Sequence, residues 1–475
     1  VGLATVILAS NRGPISFRRD ADGTISGARG GGGLVSAMSG LVADDTTLWV
    51  CAALSDTDRD VATQAPQGRI DLAGYPTSEP VRMLAIPAQV VADAYSTISN
   101  TTLWYLHHEM VDPARPLDFG PDWQRAWASY REYNEAFAGA IVEDAAAQAR
   151  ILAQDYHLTL LPGMLRERRP DIRIGLFTHT PWASPATFAT LPADIARELL
   201  VGMLGADSLG FHSARWAADF IGCCAAVLGA EASDHTVRYD GRTTSIRVHA
   251  LGVDPGPLLD RAAQPDVAKA GAKLAAVIGG RQAVVRVDRT EPSKNIVRGI
   301  EAFHDLLVRY PEHREQVVHV ALEYPSRQDL ADYRRYTDAV RAAAEQVNAE
   351  FATTSWTPVH LTVRDDFAES LATLRAGNVL LVNPVRDGMN LVAKEGVLLA
   401  PTVVLVLSRA AGAADEMGQY ALLVDPLDVT QTADAIHAAL VMPAPERVRR
   451  HDELARAATA LPPQAWLQAQ LDALD

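Results

Sequence analysis

Val379-Leu380-Leu381-Val382-Asn383-Pro384-Val385-Arg386-Asp387-Gly388-Met389-Asn390-Leu391-Val392-Ala393-Lys394-Glu395 reads as a strand, a turn and a helix in immediate succession. Four apolar residues without alternation suit a strand buried on both faces, as parallel sheets require. Asn383-Pro384 ends the strand and Asp387-Gly388 turns the chain. The helix that follows aims its free N–H groups at the strand's carboxyl end, where an anion would be held.

The same alternation extends outward in both directions. Strands are expected at 5–9, 151–154, 172–178, 207–211 and 246–251, then at 283–287, 317–322, 379–383, 402–407 and 421–424. Helical stretches separate most of them, the signature of parallel α/β sheets. Composition shifts at Gly252-Val253-Asp254-Pro255-Gly256-Pro257, and 475 residues exceed one usual core. Two doubly wound, Rossmann-like α/β domains facing a cleft are therefore predicted.

Bulk chemistry narrows the partners. A net charge of −15 argues against a nucleic-acid backbone or an anionic membrane. No apolar run approaches the roughly 20 residues that span a bilayer. The stretch from Val1 to Leu8 lacks the basic start of a signal peptide, which points to a cytoplasmic protein. Cys51, Cys223 and Cys224 offer neither a disulfide framework nor zinc spacing, and read as packing residues. Only four of the 43 basic residues are lysines, and two of them, Lys294 and Lys394, fall in the motifs singled out on other grounds.

Ligands of such sheets bind beyond the strands' carboxyl ends, so those positions supply the candidates. Gly30-Gly31-Gly32-Gly33 before Leu34 exposes N–H groups at a helix start, although a mobile hairpin tip explains it equally well. Asp155 and His179 each follow a strand, where a carboxylate and an imidazole can bond hydroxyls or share acid–base work. His157 reads as a packing or capping residue. Arg286 lies in a buried strand and needs an anionic partner. That partner is Asp288, a neighbouring carboxylate, or a diphosphate on which Arg286 and Lys294 converge. Glu395 follows Asp387 by eight residues, about 12 Å along a helix, which suits a nucleotide-sugar laid along it. An Asp cap and a solvated Glu explain these two residues singly. There is no histidine pair at metal spacing and no nucleophile elbow.

These stretches resemble the trehalose-6-phosphate synthase family of retaining GT-B glycosyltransferases. The resemblance rests on Ser10-Asn11-Arg12, the glycine loop, Tyr95, Ser99-Asn100, Leu103-Trp104, Gln154-Asp155-Tyr156-His157, His179-Thr180-Pro181, Arg286 with Lys294, Pro325-Ser326-Arg327, Trp356-Thr357-Pro358, and Asp387 to Glu395. It implies an acceptor-binding domain over 1–255, a donor-binding domain over 256–450, and a final helix within 451–475 that crosses back. Arg286, Lys294 and the N–H groups of Gly388, Met389, Asn390, Leu391 and Val392, with Gly32 and Gly33, would hold the donor diphosphate. Glu395 would bind ribose, Asp387 and His179 the transferred ring, and Asp155 the acceptor hydroxyls. Arg12, Tyr95, Trp104 and Arg327 would clamp the acceptor phosphate. No metal or cofactor is implied, and a homodimer is compatible with the sequence.

Against the family's Arg-Leu-Asp-Tyr-Ser-Lys-Gly, the segment from Arg286 to Asn295 is longer and lacks the Tyr and the final Gly. Thr180-Pro181-Trp182-Ala183 replaces Ile-Pro-Phe-Pro, Trp104-Tyr105 replaces Trp-Pro, and Ser96 replaces Asn. These departures resemble the pseudoglycosyltransferase branch typified by validoxylamine A 7'-phosphate synthase. That branch couples GDP-valienol to validamine 7-phosphate in validamycin-type antibiotic biosynthesis, releasing GDP. The expectation is thus a GDP-linked cyclitol donor with a phosphorylated cyclitol acceptor. The alternative within the family is glucose transfer from UDP- or GDP-glucose to glucose 6-phosphate. An alternative of another class is a catalytically silent sugar-phosphate sensor.

Overall fold

A computed structural model describes residues 3–29, 46–72, 75, 80–111, 117–328 and 330–475. Contacts divide the chain into two compact units, Val1–Ala250 with Pro463–Asp475, and Leu251–Pro462. Among the described residues, no helix is long and apolar enough to cross a membrane.

In chain order the first unit's strands are β1 (Ala4–Ser10), β2 (Ile15–Arg19), β3 (Ile25–Arg29), β4 (Thr47–Ala52), β5 (Val81–Leu84), β6 (Ala145–Gln154), β7 (Arg173–Thr178), β8 (Ser208–Phe211), β9 (Glu231–Ser233), β10 (Thr236–Tyr239) and β11 (Arg242–Val248). Among the described residues nine of them form one sheet, ordered β5-β4-β1-β6-β7-β8-β11-β10-β9, while β2 and β3 pair apart as a hairpin. Pairing is parallel from β5 to β11. The end beyond β11 is antiparallel. Strand order reverses direction between β1 and β6, where Ser10 pairs with Gln154 and Gln154 with Phe177. Asn11-Arg12 and Asp155 therefore leave the sheet side by side.

The second unit contains β12 (Gln282–Arg289), β13 (Val317–Tyr324), β14 (Val359–Val363), β15 (Val379–Val382), β16 (Val404–Ser408) and β17 (Leu422–Val424). They form one parallel sheet in the order β14-β13-β12-β15-β16-β17. This is the doubly wound order with its switch point between β12 and β15, the position at which such sheets bind ligands. β12 and β13 are buried along nearly their whole length, which accounts for their unbroken apolar runs.

All ten expected strands are present. Those missed are short, such as β4, whose six residues are all buried, or belong to the antiparallel edge. The expected strand at 283–287 ends too early. β12 continues through Arg289, which pairs with Tyr324 of β13.

The first unit is completed from the far end of the sequence. The helix Pro463–Asp472 buries Trp466, whose ring packs edge-on to Phe177 at 4.8 Å and whose Nε1 donates to the His249 carbonyl. Gln154 Nε2 donates to Gln470 of the same helix.

Candidate functional site

In the second unit, two loops meet at the switch point. The first runs from the end of β12 through the turn Pro292–Lys294 into the helix Ile296–Arg309. The second runs from β15 through Asp387 into the helix Leu391–Leu399. Lys294 Nζ donates to Asp387 Oδ2 at 2.6 Å. Burial works against the Lys294 charge, but Asp387 and Asp288 hold its pKa above the ordinary value. Asn390 caps the second helix: its Oδ1 accepts from the Ala393 N–H and its Nδ2 donates to Asp387 Oδ2. The cap uses one of the helix's first N–H groups and holds the carboxylate beside the helix start. Glu395 is half-buried on that helix, and burial raises its pKa.

The loop from Asp387 to Met389 is itself held from below. Gly412 N–H donates to the Asp387 carbonyl at 3.1 Å, and Ala413 N–H to the Met389 carbonyl at 2.8 Å. A Cβ at Gly412 would fall 1.9 Å from the Gly388 carbonyl oxygen, so only glycine permits this approach.

A cluster of cations lies at the carboxyl ends of β12 and β13. Glu291 is 1% exposed, yet its pKa falls to about 2. Burial pushes the other way and is overcome by Arg289, Arg327 and Lys294. Glu291 also accepts a hydrogen bond from Ser326. Arg289 lies 3.1 Å from Glu291 and is 58% exposed at its side chain, so its guanidinium is available to a ligand. Arg327 adopts φ 44° and places its guanidinium over the Tyr333 ring.

Arg286 is placed differently. It is 0% exposed, with Nη2 donating to Asp288 Oδ2 at 2.7 Å and to the Lys294 carbonyl at 3.0 Å. Nη1 donates to Asn383 Oδ1 at 3.1 Å, and Nε lies 3.2 Å from Glu323. Its anionic partners are thus carboxylates of the protein itself. The exposed arginine on this strand is Arg289, which sequence reasoning passed over. Spacing could have found it: Arg289 to Asn295 has the same length as the family's Arg-Leu-Asp-Tyr-Ser-Lys-Gly, with Lys294 in register.

In the first unit, Asp155 and His179 are adjacent. The His179 N–H donates to Asp155 Oδ1 at 3.2 Å. Its Nε2 lies 2.9 Å from Gln154 Oε1 and its Nδ1 3.2 Å from His212 Nε2. Burial brings the His179 pKa down to about 3, so the ring is neutral, donating to Gln154 and accepting from His212. Asp155 has φ 74° and ψ 168°, a region nearly reserved for glycine. Arg12 is exposed at the end of β1. Tyr95 stacks on His157 at 5.8 Å. It stands in the wide-turn π-helical segment Asp93–Leu103, a rare geometry that often marks functional positions. Trp104 is 3% exposed and stacks on His108 at 4.2 Å. Gly32 and Gly33 lie outside the described residues.

Lys394, one of the four lysines, is fully buried, bonding the Leu251 carbonyl at 2.8 Å and Glu416 at 2.5 Å. Among the described residues, a ligand-spaced group occurs at Glu312, His313 and His437. Its two histidines serve one another at 2.9 Å. It lies at the end of the helix Ile296–Arg309 opposite Lys294, about 20 Å along the axis.

Two Rossmann-like parallel-sheet domains with ligand loops at their switch points define the GT-B class of glycosyltransferases. The chain belongs to glycosyltransferase family 20, whose model matches residues 4–475. The trehalose-6-phosphate synthase of Mycobacterium marinum is 34% identical over 488 residues, covering 100% of this chain and 94% of that protein. The probable alpha,alpha-trehalose-phosphate synthase (UDP-forming) 2 of Arabidopsis thaliana is 33% identical over 453 residues. There the match covers 94% of this chain, but the chain spans about half, 54%, of the plant protein's length. The solved "trehalose-6-phosphate from E. coli bound with UDP-2-fluoro glucose" is 27% identical with a TM-score of 0.86, covering 99% of this chain and 98% of that one.

These likenesses overturn the expected placement in the validoxylamine branch. The GDP-linked cyclitol donor, the cyclitol phosphate acceptor and the part in antibiotic biosynthesis fall with it. The structure explains why the departures misled. Trp182 is 1% exposed, packed on His107 at 4.2 Å and Phe220 at 5.2 Å, so its size fills a core. The apparent insertion after Arg286 disappears once Arg289 is aligned, and Thr290 and Glu291 bond Tyr324 and Ser326 within the unit.

Proposed function

We propose that the chain is a trehalose-6-phosphate synthase, moving glucose from a nucleoside diphosphate carrier to the anomeric hydroxyl of glucose 6-phosphate. The observation that carries this reading is the meeting of Arg289, Lys294 and Arg327 around Glu291, beside the Asn390-capped helix start. UDP-glucose is the favoured donor, since the plant relative is called UDP-forming and the E. coli structure holds UDP-2-fluoro glucose. GDP-glucose is the second donor to test.

From the second unit, Arg289, Lys294 and the N–H groups from Gly388 to Val392 hold the diphosphate, Glu395 the ribose, and Asp387 the ring hydroxyls. From the first unit, Asp155 and neutral His179 bond hydroxyls. Arg12 and Tyr95 serve the acceptor phosphate, and Trp104 is packed inside the same unit. The bond from C1 to the diphosphate oxygen breaks while the acceptor oxygen bonds C1 from the same face. The acceptor's proton passes to the departing phosphate oxygen, and configuration is retained. Charge growing on that oxygen is stabilised by fixed cations and helix N–H groups. Lys294 is paired with Asp387 at 2.6 Å. Donor binding transfers Lys294 to phosphate and releases the Asp387 carboxylate for the ring.

The test is nucleotide release from UDP-glucose or GDP-glucose with glucose 6-phosphate, with glucose, or with no acceptor. Release dependent on glucose 6-phosphate is expected, and release indifferent to the acceptor's phosphate would reject the reading.

A further inference from the structure

Arg286 is a fully buried cation at the centre of the second unit's sheet, and its side chain ties together the bases of two separate loops. One bond goes to the Lys294 carbonyl, on the loop after β12. Another goes to Asn383 Oδ1, at the start of the loop after β15. Asn383 Nδ2 donates in turn to the Asn295 carbonyl, Asn295 Nδ2 donates back to the Asn383 carbonyl, and Val385 N–H donates to the Ser293 carbonyl. Asp288 and Glu323, paired across β12 and β13, hold the guanidinium from the sheet side at 2.7 and 3.2 Å. On the helix side, a Cβ at Gly299 would lie 2.4 Å from Nη1 and 3.2 Å from Asn383 Oδ1. The glycine in the helix Ile296–Arg309 thus makes room for this one group.

We infer that Arg286 is a positioning residue that fixes the register between the Lys294 loop and the Asp387 loop. It acts on the donor through them, without touching it. The inference rests on the proposed donor site in the second unit. An arginine suits the task because its planar fork reaches Asp288, Asn383 and the Lys294 carbonyl at once, whereas a lysine offers one point charge. Deleting the cation alone would strand two buried carboxylates, so a charge-balanced variant is required.

The experiment compares wild type, Arg286→Lys, Gly299→Ala, Glu323→Gln and the double variant Arg286→Met with Glu323→Gln. UDP binding is read by calorimetry, and kcat and KM are read for each substrate. Circular dichroism and thermal melting select variants that remain folded. For folded Arg286→Lys and the double variant, a tenfold or greater loss of UDP affinity and of donor kcat/KM is expected, with the KM for glucose 6-phosphate unchanged within twofold. Gly299→Ala should reproduce the donor defect with Arg286 still present, since alanine favours a helix and only the guanidinium is crowded. Glu323→Gln should lie between wild type and the double variant.

A role confined to stability predicts lower melting temperature with both KM values unmoved and kcat following the folded fraction. That result overturns the inference, as does unaltered UDP binding in Arg286→Lys. Failure of wild type to bind UDP or GDP would instead reject the donor-site reading itself, so the two failures are distinguishable.

Discussion

Asp155 holds a backbone conformation, φ 74° and ψ 168°, that costs most residues about 1–3 kcal/mol. Glycine adopts it freely and loses roughly 0.5–1 kcal/mol of chain entropy in exchange. Asp155→Gly should therefore raise stability slightly while abolishing transfer, measured by urea denaturation and nucleotide release. A destabilised but active variant would contradict the reading. Arg289→Ala and Lys294→Ala should each lower kcat/KM by roughly 100-fold or more, the usual scale for losing a charge-stabilising donor. Arg289→Ala should also lower stability, by roughly 1–3 kcal/mol, since buried Glu291 loses the first of the cations that keep it ionised. His319 adds a pH prediction. It is fully buried, and desolvation, aided by Arg286, takes its pKa down to about 3. The unfolded chain gains this proton near the ordinary histidine value while the folded chain does not. The stability is present in full above that value and declines as pH falls toward 3. His319→Gln should remove about one proton from the pH dependence of unfolding between pH 7 and 5. Asp155 and His179 could be picked as candidates from the sequence because each closes a strand, and Lys294 because it opens the helix that follows β12. Arg286 was misjudged for an equally physical reason: a strand's end is set by pairing with its neighbours, and β13 carries β12 on to Arg289.

At the scale of elements, the segment from β15 to Glu395 folds as its residues dictate. The strand is apolar on both faces, Asp387-Gly388 turns, and Asn390 caps at φ 80°, a conformation that Asn tolerates better than most residues. What the sequence alone does not reveal is the floor beneath that turn, because Gly412 lies 24 residues beyond Gly388 and carries no motif. Gly412→Ala should force the Gly388 carbonyl to move, weakening UDP binding at least tenfold by calorimetry. Unchanged binding would show that the turn tolerates the shift. Asn390→Ala should cost roughly 1 kcal/mol as a lost cap and should also reduce turnover, since Asp387 loses a hydrogen bond. The antiparallel strands β9 and β10 escaped the reading because they are only three and four residues long, leaving no apolar run to find.

At the scale of the whole molecule, the first unit is assembled from both ends of the chain. Trp466 inserts its ring beside Phe177 and His179, at 4.8 and 5.6 Å, so the final helix supports the strand end that presents the histidine. Trp466→Ala should cost about 3–5 kcal/mol. Hydrogen exchange should rise in β6 and β7, while β12 and β15 keep their protection. The two-domain plan was legible from the alternation of strands and helices, whereas the branch within the family was not. Trp182, one of the substitutions that suggested a different ring, serves core packing. Only coordinates show which way a bulky side chain faces.

The most direct measurement is proton NMR of the products formed from UDP-glucose and glucose 6-phosphate. The proposed reaction gives trehalose 6-phosphate with both anomeric centres in the α configuration and one UDP released per disaccharide. Absence of the disaccharide, with only glucose and UDP appearing, or a product of inverted configuration, would contradict it.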